Sequence, residues 1–159
     1  MKLEQTADGS YTLYVPELDE HYHSVKGALT ESQHIFIEMG LKHSPVSEPH
    51  ILEIGLGTGL NAFLTLLSAE ETRRKVHYTG IERYPLAEET LKQLDYPRLI
   101  GKQHEEDYYA IHQAPWDTET EVSPWFTLHK IEDDFTRLFN PEEGSRSAVP
   151  LYDIVYFDA

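Results

Sequence analysis

One segment constrains this chain more than any other: Ile51-Leu52-Glu53-Ile54-Gly55-Leu56-Gly57-Thr58-Gly59-Leu60-Asn61. An apolar run of strand character enters a turn with glycine at every second position, and an apolar helical stretch from Leu60 to Ala69 follows. Glycine is required where the backbone bends into left-handed conformations or where a ligand touches the main chain. The spacing separates the ligand classes. A dinucleotide fingerprint, G-x-G-x-x-G, needs its third glycine where Leu60 stands. A P-loop needs Lys-Ser/Thr after the turn, and none follows. Glu53 lies on the strand two residues before the first glycine, where a carboxylate would repel a pyrophosphate but suits a cationic ligand. The bland alternative is a tight strand-to-helix turn that binds nothing.

A cationic ligand with a methionine-type amino group points to S-adenosylmethionine, and two further acids agree in position. Gly80-Ile81-Glu82 closes the next strand, Val76 to Ile81, so Glu82 is expected beside the glycine loop, placed to accept hydrogen bonds from both ribose hydroxyls. The alternative for Glu82 alone is an ordinary surface glutamate. Glu132-Asp133-Asp134 follows a third strand, Phe126 to Ile131, where a carboxylate can accept from an adenine amine. Acids also favour the first turn of a helix, so a solvated helix start competes with that reading. Asp158 ends the last strand, Asp153 to Phe157. It can hold an acceptor amine and take its proton, or merely cap the strand.

The rest of the chain reads as alternating strands and helices, which implies a parallel sheet covered on both faces. Asp8-Gly9 and Tyr11 to Val15 predict an N-terminal β-hairpin over 3–15. A polar stretch runs from Pro16 to Lys26. Residues 28–39 predict a helix with Leu29, Ile35, Phe36 and Met39 at helical spacing and Gly40 as its stop. Pro85 is expected to open a helix over 86–94, and a short helix is expected over 105–113. Ala114 to Pro124 is expected as a long loop, and Asp134 to Phe139 as a helical turn. The expected organisation is residues 1–48 as a hairpin and helix packed on the core, and 49–159 as a Rossmann-like cofactor-binding core. The chain stops at the carboxyl tip of a strand, so its C-terminal part is expected to be missing after the fourth core strand.

Composition bounds the partners. The chain has 159 residues, no cysteine and a formal net charge of −15. Disulfides and thiolate chemistry are excluded, no membrane span or signal pattern is present, and the default compartment is the cytoplasm. The acidic balance opposes binding to phosphate backbones. A local basic run such as Arg73-Arg74-Lys75 could serve as a counterweight, or be only a solvated helix end. His21-x-His23 has metal-ligand spacing on a strand, but nine scattered histidines make coincidence the better reading, and no metal is assigned.

With these residues in view, the chain resembles the MnmC-like family, the class I methyltransferase domain that finishes 5-methylaminomethyl-2-thiouridine at the tRNA wobble position. The resemblance rests on Ser24-Val25-Lys26-Gly27-Ala28-Leu29-Thr30-Glu31-Ser32-Gln33-His34-Ile35-Phe36-Ile37, on Glu53 through Asn61, on Glu82-Arg83-Tyr84-Pro85-Leu86, on Asp133-Asp134 and on Asp158. It spans roughly residues 10–159. It implies cofactor contacts at Glu53, Gly55, Gly57, Thr58, Gly59, Asn61, Glu82, Arg83, Asp133 and Asp134. It implies substrate or pocket-closing roles for Ser24, Gly27, Glu31 and His34, and a catalytic role for Asp158. Asp133 stands where the family has glycine, so the adenine-side contact falls better on Asp134. The family's Phe-x-Pro-x-Lys segment would come just after Ala159. The implied activity is S-adenosylmethionine-dependent N-methylation of an aminomethyl-uridine in tRNA. A methyltransferase of the same fold acting on a small-molecule or protein amine, and a non-enzymatic cofactor-binding module, are the other hypotheses.

Overall fold

A computed structural model of the chain describes residues 2–5, 11–15, 20–21, 27–94, 96–138 and 152–157. Two sheets form. The first is the N-terminal antiparallel ribbon β1 (Lys2–Gln5), β2 (Tyr11–Val15) and β3 (Glu20–His21), in that spatial order. The hairpin expected over 3–15 is present, extended by a two-residue third strand inside the polar stretch.

The second sheet comprises β4 (His50–Ile54), β5 (Val76–Glu82), β6 (Glu119–Ser123), β7 (Phe126–Glu132) and β8 (Ile154–Phe157), in the order β6-β7-β5-β4-β8. β4 pairs in parallel with β5 on one side and β8 on the other, β5 pairs in parallel with β7, and β6 is antiparallel to β7. Helices lie on both sides. This is the expected Rossmann-like α/β architecture. At their amino ends β4 and β8 are tied reciprocally: His50 N donates to an Asp153 carboxylate oxygen, and Asp153 N donates to the His50 carbonyl, each at 2.8 Å.

One face of the sheet carries Ile51, Glu53, Tyr78, Phe126, Leu128, Lys130 and Tyr156. It is covered by α2 (Leu60–Thr72), α5 (Glu105–Gln113) and the helical segment that precedes β4. The other face carries Leu52, Ile54, Ile81 and Ile131 against α6 (Phe135–Leu138) and Tyr152. Two short helices, α3 (Glu88–Leu94) and α4 (Tyr96–Ile100), and a 3₁₀ turn (Lys102–His104) link β5 to α5.

Three sequence expectations are corrected. The loop expected over 114–124 contains β6. Its Glu-Thr-Glu-Val alternation turns the acids out and Thr120 and Val122 inward, a period-2 pattern concealed by acids of low strand propensity. Pro85 does not open the following helix, which starts at Glu88. The helix expected over 28–39 is α1 (Ala28–Ser32) continued by a π-helix over Gln33–Leu41, so Gly40 lies inside it rather than stopping it. Its final bond, from Lys42 N to the Ile37 carbonyl at 2.8 Å, spans five residues. The wider turn re-aims the apolar face. Phe36, Ile37 and Leu41 are buried, whereas Ile35 and Met39 are 45% and 63% exposed.

Arg74 closes the junction between α2 and β5. Its guanidinium donates to the carbonyls of Leu41 (2.8 Å), Ser44 (2.7 Å) and Val46 (2.9 Å), satisfying the end of the π-helix and the loop into β4. Hydrogen bonds from a charged donor contribute about 1.5–3 kcal/mol each, and their losses at one side chain are not additive. Arg74→Ala is therefore expected to cost about 2–4 kcal/mol in urea unfolding, and a loss below about 0.5 kcal/mol, the usual surface scatter, would refute the clamp.

Candidate cofactor site

The glycine loop leaves the carboxyl end of β4 and is pinned to the end of β5. Gly55 N and Leu56 N both donate to the Ile81 carbonyl, at 2.9 and 3.1 Å. Gly55, Gly57 and Gly59 have φ of 86°, 53° and 77°, left-handed values that disfavour any residue with a Cβ. Gly80 works differently. Its φ is not left-handed, but a Cβ there would stand 2.8 Å from Leu56 Cδ1, so its hydrogen makes room for the loop's one large side chain.

Glu53 lies 1% exposed beneath this loop. Its Oε2 accepts from Asn61 Nδ2 at 2.8 Å, and its Oε1 accepts from the Tyr78 hydroxyl at 2.7 Å. The carboxylate thus ties β4 to β5 and to the first turn of α2. Asn61 Oδ1 is buried with no hydrogen-bond partner among the described residues. Thr58 is fully buried, and its hydroxyl receives Leu60 N at 3.4 Å.

Glu82 ends β5 at the rim of the loop. Its carboxylate receives the backbone N–H of Gly57 at 3.3 Å, with the Tyr84 amide beside it. Burial raises its pKa above the ordinary 4.5, against the lowering effect of those two amides. The acidic turn after β7 meets Glu82 through the backbone, with Asp133 N donating to the Glu82 carbonyl at 3.1 Å. Asp133 Oδ1 accepts from Asp134 N at 2.7 Å. Asp134 caps α6, its Oδ1 accepting from Thr136 N and Oγ1 at 2.9 and 2.7 Å, and its Oδ2 pairs with the exposed Arg83 at 3.3 Å. The Thr136 donors, with Arg83 adding a smaller share, hold the Asp134 carboxyl below its usual range. The helix-start arrangement weighed for this turn is thus built in fact. It brings Arg83, Asp133 and Asp134 to the Glu82 side of the loop.

Of the residues carried over from the N-terminal segment, Gly27, Glu31 and His34 are described. Gly27 precedes α1 with φ 128°, and its carbonyl accepts from Glu31 N at 2.8 Å. His34 is exposed and lines a groove of about 500 Å³ with Leu29, Glu38 and Ile100, none of whose described lining residues belongs to the glycine loop. Ser24 and Asp158 lie outside the described residues, as does His23 of the His21-x-His23 pair. The basic run Arg73-Arg74-Lys75 is reduced by the inward commitment of Arg74, and it sits at the far end of α2 from the loop.

Two buried bases behind the loop were not singled out in the sequence. A Cβ on Gly59 would meet His112 Cε1 at 2.8 Å, so the imidazole fills the space that this glycine leaves. Lys130 is 2% exposed, donates Nζ to the His112 carbonyl at 2.9 Å and lies 4.8 Å from the Trp116 ring centroid. Burial lowers Lys130 to about 8. Burial first, and the nearby Lys130 charge second, lower His112 to about 4, against a hydrogen bond with the Thr58 backbone. The strand period could have found Lys130, which alternates with Phe126 and Leu128. Nothing in the local sequence marks His112.

His112 is expected to make stability pH-dependent. Its folded pKa of about 4 lies below the ordinary 6.5, so its contribution is complete above pH 6.5 and is lost as pH falls toward 4. The full loss is on the order of 3 kcal/mol. His112→Leu should flatten the unfolding free energy between those pH values. An unchanged slope in urea titrations of the variant would refute the assignment.

No family model matches the chain. The bifunctional protein "tRNA 5-methylaminomethyl-2-thiouridine biosynthesis bifunctional protein MnmC" of Magnetococcus marinus is 34% identical over 94 residues, which is 54% of this chain and 14% of that protein. The protein of the same name from Pseudomonas entomophila is 31% identical over 109 residues, 60% of this chain and 17% of that one. The chain therefore matches less than a fifth of the length of these curated relatives. The crystal structure of MnmC2 from Aquifex aeolicus superposes with a TM-score of 0.69 over 99% of this chain and 49% of that one, at 23% identity. In sequence over about half its length, and in fold over nearly all of it, the chain resembles the MnmC proteins.

Proposed function

We propose that this chain is the S-adenosylmethionine-binding part of a methyltransferase that N-methylates an aminomethyl-uridine in tRNA, acting in the cytoplasm. The observation that carries the cofactor assignment is the conjunction of a three-glycine left-handed loop with two buried acids, Glu53 beneath it and Glu82 at its rim. The unpartnered Asn61 Oδ1 fits a ligand with an ammonium donor. The substrate assignment is supported by the likeness to proteins named for tRNA 5-methylaminomethyl-2-thiouridine biosynthesis.

Bound S-adenosylmethionine supplies a methyl group activated on sulfur. The chain's own residues orient it. The backbone of Gly55 to Gly59 would carry the methionine end, with Asn61 accepting from its amino group and Glu53 holding Asn61 in place. Glu82 would accept from the ribose hydroxyls. The adenine edge would meet the turn at Asp133 and Asp134. There Arg83 is an exposed, solvent-screened ion-pair partner, so Asp134 can exchange it cheaply. Asp158 directly follows β8, whose carboxyl end stands beside that of β4. Its carboxylate would hold the acceptor amine and take up its proton. Gly27, Glu31, His34 and Ser24 are proposed to act on the substrate side.

The functional test is calorimetry with S-adenosylhomocysteine and NAD, followed by methyl transfer to undermodified tRNA at two salt concentrations by a form of the protein with transfer activity. Sulfur-ligand binding tighter than NAD is expected, with activity falling steeply as salt rises, since phosphate contacts release counterions. Tighter NAD binding would overturn the cofactor, and salt-independent activity would favour the small-molecule or protein amine. Glu82 should give opposite signs in two measurements. Because its folded pKa is raised, its favourable contribution exists below pH 4.5 and is lost as pH rises through the folded value. Glu82→Gln should therefore stabilise the ligand-free chain at pH 7, with the advantage shrinking toward pH 4.5. It should also weaken S-adenosylhomocysteine, by less than the roughly 1.5–3 kcal/mol expected for Glu82→Ala. A Glu82→Ala variant that binds like the parent would exclude the ribose role.

A further inference from the structure

At the end of α2 opposite the glycine loop, three side chains from three elements converge. Glu70 of α2, His104 of the 3₁₀ turn and Asp107 of α5 place one ligand atom each within 4.8 Å of one another, and all three are half-buried. The arrangement follows from helix geometry. α5 runs antiparallel to α2, so the end of α5 that bears Asp107 meets the end of α2 that bears Glu70, while its other end carries His112 to Gly59. Gly101, with φ 153°, makes the bend that delivers His104 to the same point.

We propose that this triad is a binding site for a zinc-class divalent ion that clamps α2 to α5, independently of the cofactor reading. An imidazole with two carboxylates is a mixed nitrogen–oxygen donor set, which suits zinc better than magnesium. In a tetrahedral site with bonds of about 2.1 Å, ligand atoms stand about 3.4 Å apart, so side-chain rotation of roughly an ångström completes the geometry. A cavity of about 550 Å³ is lined by Glu70 and His104, with Ser68 among others, and provides access and room for water as the remaining ligand on their side of the triad. The facing charges are Lys42 and Glu71 on the cavity wall and Glu106 beside Asp107, so the surroundings are net acidic.

The test uses the full chain and zinc chloride, with magnesium chloride as control. One equivalent of zinc is expected to resist a chromogenic chelator. At a hundredfold excess over Kd, zinc should raise the melting temperature by roughly 5–10 °C. His104→Ala and Asp107→Asn should each abolish both effects while retaining S-adenosylhomocysteine binding. His50→Ala, which alters the stacked His50–His77 pair instead, should keep them. If His104→Ala does not fold, Glu70→Gln is read in its place. Failure of the parent to hold zinc, an equal response to magnesium, or retention of the zinc equivalent in Asp107→Asn and either partner variant would overturn the site.

Discussion

The Glu53 carboxylate is the interaction on which the candidate site depends. A buried carboxylate costs several kcal/mol unless its oxygens are hydrogen-bonded. Here the donors come from two different elements, Tyr78 of β5 and Asn61 of α2. Satisfying one strand residue therefore fixes three elements relative to one another. The loop between β4 and α2 is then suspended between points that cannot move independently. Its left-handed glycines are consequences of the short span, and the Gly80–Leu56 contact closes it from the side.

What the sequence made legible followed from strong local periodicity. β4, α2, β5 and β7 were readable because apolar runs and glycine punctuation agree there, and parallel pairing of β4 with β5 was implied by the helix between them. β6 was hidden because its alternation is carried by Glu119 and Glu121, which resemble loop residues in composition. The π-helix was hidden for a different reason. A 3.6-residue period assigns Ile35 and Met39 inward, and only the wider turn places Ile37 and Leu41 there instead. Among site residues, Glu53 and Glu82 were marked by their strand positions. His112 was not, because its contact with Gly59 joins residues 53 apart in sequence on helices whose docking no local signal encodes.

The charge distribution is more uneven than the formal balance of 13 bases against 28 acids indicates. Arg74 and Lys130 direct their charges to internal carbonyls, so neither contributes to an outward basic surface. Electrostatic attraction of a polyanion is a property of accessible charge. For a tRNA substrate, the basic surface must come from residues other than these two. Internal cations of this kind also shift what a charge-neutralising substitution does: loss of Arg74 or Lys130 exposes unsatisfied carbonyls rather than altering the surface field.

The pairing of β4 with β8 has a consequence for the order in which the fold can be assembled. β4 lies at residues 50–54, but the strand on its second side, clamped by Asp153 to His50, arrives 103 residues later. During synthesis β5 can dock on β4 as soon as α2 has formed, and β7 can follow on β5. Throughout that interval the other edge of β4 presents open hydrogen-bonding groups beside apolar side chains, the type of edge that recruits foreign strands. Long-range parallel closure of this sort is slow relative to local helix formation. A nascent chain with this topology therefore has a built-in period of exposure, whose length is set by the translation rate over residues 55–157 rather than by the stability of the finished sheet.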